Sequence, residues 1–138
     1  MSDCVFCKII AKQIPAQIVF ENESIIAFLD INPVHPGHTL VLPKTHVESF
    51  TDLPSEICGG VGATAQKLMK VFIEKMGYEG ANLIQNNGAA AGQVVPHVHF
   101  HVIPRKKGDG LVHWPGRGYE NGQEAMTGAQ VRSALSEF

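Results

Sequence analysis

Gly92-Gln93-Val94-Val95-Pro96-His97-Val98-His99-Phe100-His101-Val102-Ile103-Pro104-Arg105 is the stretch around which the fold is organised. His97, His99 and His101, three of the seven histidines, alternate with Val98, Phe100 and Val102. Such alternation marks a strand with two unlike faces, and side chains two apart on a strand lie roughly 6.5 Å from one another on one face. The spacing predicts a strand over 97–103, with the imidazoles in a row on one surface. Val98, Phe100 and Val102 would anchor the other side in the core. Imidazole is a costly choice for an ordinary solvent face, and useful where a proton, a phosphate or a metal is handled near neutral pH. A single strand histidine is usually structural; three in register beside an apolar face point to a site.

Bulk composition narrows the classes. A chain of 138 residues with 44% apolar content predicts one domain spanning 1–138, with a core large enough to fold alone. The 17% charged content is low for a monomer's surface, which hints at a face covered by another subunit. A net charge of -2 gives no broad footprint for nucleic acid or membrane. The basic run Arg105-Lys106-Lys107 reads as a solvated loop. No stretch has the length of a transmembrane helix, and the N-terminus lacks a signal-peptide layout, so the expected location is cytoplasmic.

The three cysteines do not suggest a disulfide framework. Cys58 reads as a buried apolar residue. Cys4 and Cys7 form C-x-x-C, which can be a redox pair, half of a zinc site, or chance. A thioredoxin-like arrangement needs a strand before the motif, and there is no room for one. Half a zinc site suits better; it needs two more ligands, with the free histidines as candidates.

Gln17–Phe20 and Ile25–Leu29 flank Glu21-Asn22-Glu23-Ser24 and predict a β-hairpin, with Asp30 closing its second strand. Asn32-Pro33 and Pro36-Gly37 punctuate a loop before a third strand over His38–Leu42, ended by Pro43. Pro54 opens a helix, with Asp52 or Ser55 as candidate caps. Ile57, Val61, Ala65, Leu68, Phe72 and Met76 form its apolar stripe and Gly77 its stop. Gly59, Gly60 and Gly62 are poor helix formers that suit close packing. Ala81–Gln85 predicts a fourth strand and Asn86-Asn87-Gly88 a tight turn; Trp114-Pro115 sits in the loosened C-terminal region, where a packing plug is the ordinary role. Val131, Leu135 and Phe138 suggest a short amphipathic terminal helix. The expected class is α+β, a five-stranded antiparallel sheet with one long helix and short terminal helices.

A row of imidazoles beside a small-residue turn supports three chemistries. An imidazole can attack a phosphoryl centre if one ring nitrogen is free and the other N–H is held by an acceptor. Its neighbour can bind phosphate oxygens or serve the leaving group, and the Asn86–Gly92 turn can present backbone N–H groups. Alternatively, two of the histidines hold a catalytic zinc, although this usually needs a third histidine or carboxylate plus a general base, and the strand itself carries no Asp or Glu near the row. The third option is a binding or structural zinc protein built on Cys4, Cys7 and two histidines.

His97-Val98-His99-Phe100-His101-Val102-Ile103 resembles the signature of the histidine triad superfamily, three histidines each followed by apolar residues. Cys4-Val5-Phe6-Cys7-Lys8-Ile9-Ile10 with Ile14-Pro15-Ala16, Phe28-Leu29-Asp30-Ile31-Asn32-Pro33, Pro36-Gly37-His38, Pro43-Lys44-Thr45-His46 and Asn86-Asn87-Gly88 through Gly92-Gln93 are similar to its Hint-type branch. The likeness runs from about residue 4 to about 104, leaving 105–138 as a variable C-terminal loop and helix.

The resemblance implies a nucleotidyl hydrolase or transferase acting at the α-phosphate of a nucleotide through a nucleotidyl-histidine. The substrates implied are purine nucleoside phosphoramidates or adenylylated compounds, with dinucleoside polyphosphate hydrolysis or non-catalytic nucleotide binding as alternatives. It implies His99 as nucleophile, held through its other nitrogen by a backbone carbonyl. His101 would serve the phosphate and scissile atom, with His38 behind them. Asp30 would hold the ribose hydroxyls, Phe6, Ile9, Phe28 and Ile31 line the base pocket, and Asn86, Gly92, Gln93 and Val94 surround the phosphate. It further implies a structural zinc on Cys4, Cys7, His46 and His97, and a homodimer with a ten-stranded sheet. The chain departs from the Hint-type pattern at Val94, where a hydroxyl residue is common, and at Pro96. Trp114-Pro115 follows a longer connection than the terminal Trp-Pro of that branch.

Overall fold

The computed structural model describes residues 3–138. In chain order come α1 (Val5–Ile10), β1 (Ile18–Glu21), β2 (Ile25–Leu29), β3 (Thr39–Pro43), α2 (Ser55–Glu74), β4 (Gly80–Gln85), β5 (Phe100–Arg105) and α3 (Gln123–Leu135). The five strands form one antiparallel sheet in the order β1-β2-β3-β5-β4. The first hairpin turns on Asn22, whose Oδ1 accepts from the amides of Ser24 (2.9 Å) and Ile25 (2.8 Å).

β2 and β3 are buried on both faces because a helix covers each. Ile25, Ala27, Val41 and Val102 pack beneath Val61, Ala65 and Phe72 of α2. Ile26, Phe28, Leu40 and Leu42 point the other way, against Cys4, Phe6 and Ile9 at α1. Period-two alternation is what divides these strands between two cores. Gly60 permits the close approach of α2, since a Cβ there would stand 2.5 Å from Ile25 Cδ1. Gly59 and Gly62 would meet nothing within 4 Å, and no contact explains them.

Several local expectations change. The N-cap of α2 is Pro54 rather than Asp52 or Ser55, and no side chain caps it. Its carbonyl takes the amide of Ile57 at 3.0 Å, and Asp52 instead ends a 3-10 turn capped by Ser49. α2 stops at Glu74, with Gly77 at φ +75° two residues past the Lys75 cap. α3 buries no residue, Val131 and Leu135 remain exposed, and Trp114 is 78% exposed rather than a plug. Cys58 is half-buried. Among the described residues, no helix is long and apolar enough to cross a membrane.

The main departure concerns the histidine stretch. β5 begins at Phe100, so only His101 of the three histidines lies within the strand. β3 and β5 pair from Thr39↔Val102 to Val41↔Phe100 and no further. The ladder stops because Pro43 has no N–H to offer, and its carbonyl is taken by His97 Nε2 at 2.8 Å. The His97 amide turns back to Val95 O (2.8 Å) and that of Val98 leaves for Val47 O (2.7 Å). His97 and His99 are therefore held by specific bonds in a bent segment, and both are buried.

Candidate active site and metal centre

A cavity of about 570 Å³ opens between α1, the loop after β2 and the β4–β5 connection. Phe6, Ile9, Phe28, Asp30, Ile31, Asn86, Gly92, Val94, His99 and His101 all line it. One wall is apolar. Phe6 meets Phe28 edge-on at 5.6 Å between ring centres and His99 at 5.0 Å, so α1 presses its buried face against the His99 ring. Val5, Ile14, Pro15, Ala16 and Leu40 extend the wall. Val5 and Ile14-Pro15-Ala16 are marked in the sequence only by family likeness and Leu40 only as a strand residue, because an apolar residue looks alike whether it faces a core or a cavity.

Hydrogen-bond partners fix the protonation of each ring nitrogen. His99 Nδ1 lies 2.7 Å from the carbonyl oxygen of His97. A carbonyl only accepts, so Nδ1 carries the proton and Nε2 presents a lone pair. Burial lowers the His99 pKa from the ordinary imidazole value, against the opposing effects of that carbonyl and of Asp30, so the ring favours the neutral form. His38 Nδ1 accepts the amide of Val34 at 3.1 Å, which leaves the proton of the neutral ring on Nε2. That Nε2–H donates to His101 Nδ1 at 2.9 Å, so His101 holds its own proton on Nε2. Asp30 Oδ2 stands 3.6 Å from His38 Nε2, and Oδ1 accepts the Asn32 amide at 2.8 Å. Burial, then the neighbouring His99 and His38 rings, push the His101 pKa down to about 4. The cavity thus meets a bare ring nitrogen on His99 and an N–H on His101.

Gln93 does not line the cavity. Its Oε1 accepts the Gly88 amide (2.8 Å), and its Nε2 donates to Glu48 O (2.8 Å) and Val95 O (3.1 Å). The side chain braces the loop that brings Gly92 to the rim. Gly92 sits at φ +88°, which favours glycine. Val94 is 89% exposed at the mouth, as is Ile31 at 90%.

Behind the cavity, Cys4, Cys7, His46 and His97 bring two thiols and two ring nitrogens within 4.8 Å of one another. Cys4 is the N-cap of α1, so the first turn of that helix places Cys7 beside it. His97 Nε2–H is committed to Pro43 O, which leaves Nδ1 as the available donor, 3.6 Å from each sulfur. His46 Nδ1 lies 3.3 Å from Cys7 Sγ. Ordinary zinc bond lengths in a tetrahedron put sulfur and nitrogen about 3.6 Å apart, so the four atoms fit such an ion. Burial lowers the His97 pKa, favouring the neutral ring a metal requires. His97 serves both places, giving its side chain to the Cys/His set and its carbonyl to His99.

An α+β sheet with a histidine-floored cavity beside a Cys₂His₂ cluster defines a narrow class of protein. The HIT domain family model matches residues 11–108, and the chain belongs to that family. It is 52% identical over 110 residues to an uncharacterised HIT-like protein of Methanocaldococcus jannaschii, covering 79% of this chain and 84% of the relative. It is 42% identical to an adenosine 5'-monophosphoramidase of Schizosaccharomyces pombe, covering 81% and 83% respectively. A Zn-bound histidine triad family protein of Mycobacterium smegmatis superposes with a TM-score of 0.76 at 38% identity, covering 96% of this chain and 98% of that one.

Proposed function

We propose that the protein is a nucleotidyl hydrolase cleaving purine nucleoside phosphoramidates or related adenylylated compounds at the α-phosphate. The observation that carries this reading is the bare Nε2 of His99, fixed at the cavity by the 2.7 Å bond from its Nδ1–H to His97 O. His99 Nε2 attacks phosphorus, an Nε2–P bond forms, the P–N bond to the leaving amine breaks, and one proton enters from solvent onto that nitrogen. Water then attacks phosphorus, the Nε2–P bond breaks, and one proton returns to solvent. His101 Nε2–H donates to the bridging atom or a phosphate oxygen throughout. Asp30, an acceptor only, takes the ribose hydroxyls while Phe6, Ile9, Phe28 and Ile31 enclose the base. The likeness to the adenosine 5'-monophosphoramidase of Schizosaccharomyces pombe supports this substrate class.

Cys4, Cys7, His46 and His97 would hold a structural zinc, filling the ion's coordination and leaving His99 to react. We further propose a homodimer across β4, an edge strand on which Leu83 is 47% exposed, giving a ten-stranded sheet. Adenosine 5'-phosphoramidate hydrolysis by wild type and His99→Ala tests the activity. The variant should bind AMP and fail to turn over; equal rates would refute the assignment.

A further inference from the structure

His35, Asp109 and Arg105 lie outside the cavity, and the reaction described above does not use them. Asp109 follows β5, and its side chain is only 6% exposed. Arg105, the last residue of β5, grips it with two bonds, Nε to Oδ2 at 2.6 Å and Nη2 to Oδ1 at 2.8 Å. A third guanidinium bond, Nη1 to Asn82 Oδ1 at 2.7 Å, ties Arg105 to β4. The guanidinium holds the Asp109 carboxyl well below the usual carboxylate range. The free lobe of Oδ2 meets His35 Nε2 at 3.1 Å. An arginine bonded twice to a buried carboxylate and once to the neighbouring strand β4 is not a solvated loop residue.

His35 belongs to the loop between β2 and β3. The outer part of that loop is poorly packed, with Ile31 90% and Val34 43% exposed. Its inner part is tied down: Tyr78 OH donates to Pro36 O at 2.5 Å, and the His38 amide donates to His35 O at 3.0 Å. The adjacent Val34 amide is the donor that fixes the His38 ring. The connections close on themselves. β5 carries His101 and Arg105; Arg105 holds Asp109, Asp109 holds His35, and the backbone beside His35 selects the proton position on His38 that His101 receives.

We propose that Arg105, Asp109 and His35 form a positioning latch that sets which nitrogen of His101 carries its proton. With the latch closed, Val34 N–H faces His38 Nδ1, so His38 donates and His101 turns an N–H toward the cavity. With the loop released, only the Asp30 carboxylate, 3.6 Å away, still favours a proton on His38 Nε2, and the ring can carry its proton on Nδ1 and accept through Nε2. His101 then donates from Nδ1 and offers the substrate a lone pair, which cannot hydrogen-bond a phosphate oxygen. The relation between latch and turnover rests on the proposed hydrolysis; the relation between latch and tautomer does not.

The test compares wild type with Asp109→Asn, His35→Ala and His35→Gln. Nitrogen-15 NMR of the histidine rings in substrate-free protein reads the tautomer directly. Wild type should show His101 protonated at Nε2, with the first two variants mixed between nitrogens and His35→Gln, whose amide can still reach Asp109, closer to wild type. With adenosine 5'-phosphoramidate, kcat should fall about tenfold or more in Asp109→Asn and His35→Ala while KM stays within about twofold. Unchanged His101 tautomers in both variants would overturn the latch, as would a loss appearing in KM with kcat preserved. If Asp109→Asn fails to fold, the loop substitution His35→Ala and its His35→Gln rescue decide. A wild type that does not turn over the substrate would refute the proposed function, while the NMR result would still judge the latch.

Discussion

Replacing His101 with glutamine tests the electrostatics of the cavity through stability rather than turnover. Glutamine keeps an acceptor for His38 Nε2–H and removes the titrating ring. In the folded protein burial, then His99 and His38, lower the His101 pKa to about 4, against 6.5 for an unperturbed imidazole. That gap of roughly 2.5 units, at about 1.36 kcal/mol per unit, is worth about 3 kcal/mol. The sign follows from where the proton binds. Between the two values the unfolded ring holds a proton that the folded ring refuses, so the contribution is fully present above pH 6.5 and lost as pH falls toward 4. His101→Gln lacks this loss. Its stability relative to wild type should therefore improve by about 3 kcal/mol between neutral pH and about pH 4, read from urea midpoints and slopes at constant ionic strength. A difference independent of pH, or one that moves against the variant in acid, would refute the argument that desolvation and neighbouring rings keep His101 neutral.

Cys7→Ser should lose bound zinc, measured by elemental analysis after dialysis, and melt at lower temperature than wild type; a full metal complement in the variant would remove Cys7 from the ligand set. Asp30→Ala should raise KM for a ribonucleotide substrate about tenfold, the scale of a lost hydrogen bond to a charged group, with a smaller effect on its 2',3'-dideoxy analogue. Equal effects on both would place Asp30 away from the sugar. Gly60→Ala should destabilise by about 0–2 kcal/mol in thermal or urea unfolding, because overpacking against Ile25 costs about 1–3 kcal/mol and the gain in helix propensity returns about 1. A clear gain in stability would contradict the tight contact. Sedimentation should find a dimer that a charged residue at Leu83 dissociates; a monomeric wild type would refute the proposed interface.

The sheet and the long helix were legible in the sequence because burial there follows simple periods. Ile25–Leu29 and the third strand are continuous apolar runs between turn residues, and Val61, Ala65 and Phe72 keep a helical stripe. The alternation of His97 to His101 marked the right residues but overextended the strand. What ends it is Pro43, a residue of the neighbouring strand whose pairing is invisible until the sheet is assembled. The protonation pattern was illegible for the same reason, since it depends on the backbone N–H of Val34, which any residue but proline supplies, and on the backbone carbonyl of His97. His35 and Asp109 stand 74 positions apart, so no spacing could join them. Val131 and Leu135 show the converse: apolar residues at helical spacing, yet no core receives them.

During turnover His99 Nε2 should become bonded to the nucleotide phosphorus. Rapid quench into base during turnover of adenosine 5'-phosphoramidate, followed by mass spectrometry of the peptides, tests it most directly. A nucleotidyl adduct on His99 should form and decay within one turnover and be absent from His99→Ala. Steady turnover with no adduct, or an adduct on His101 instead, would contradict it.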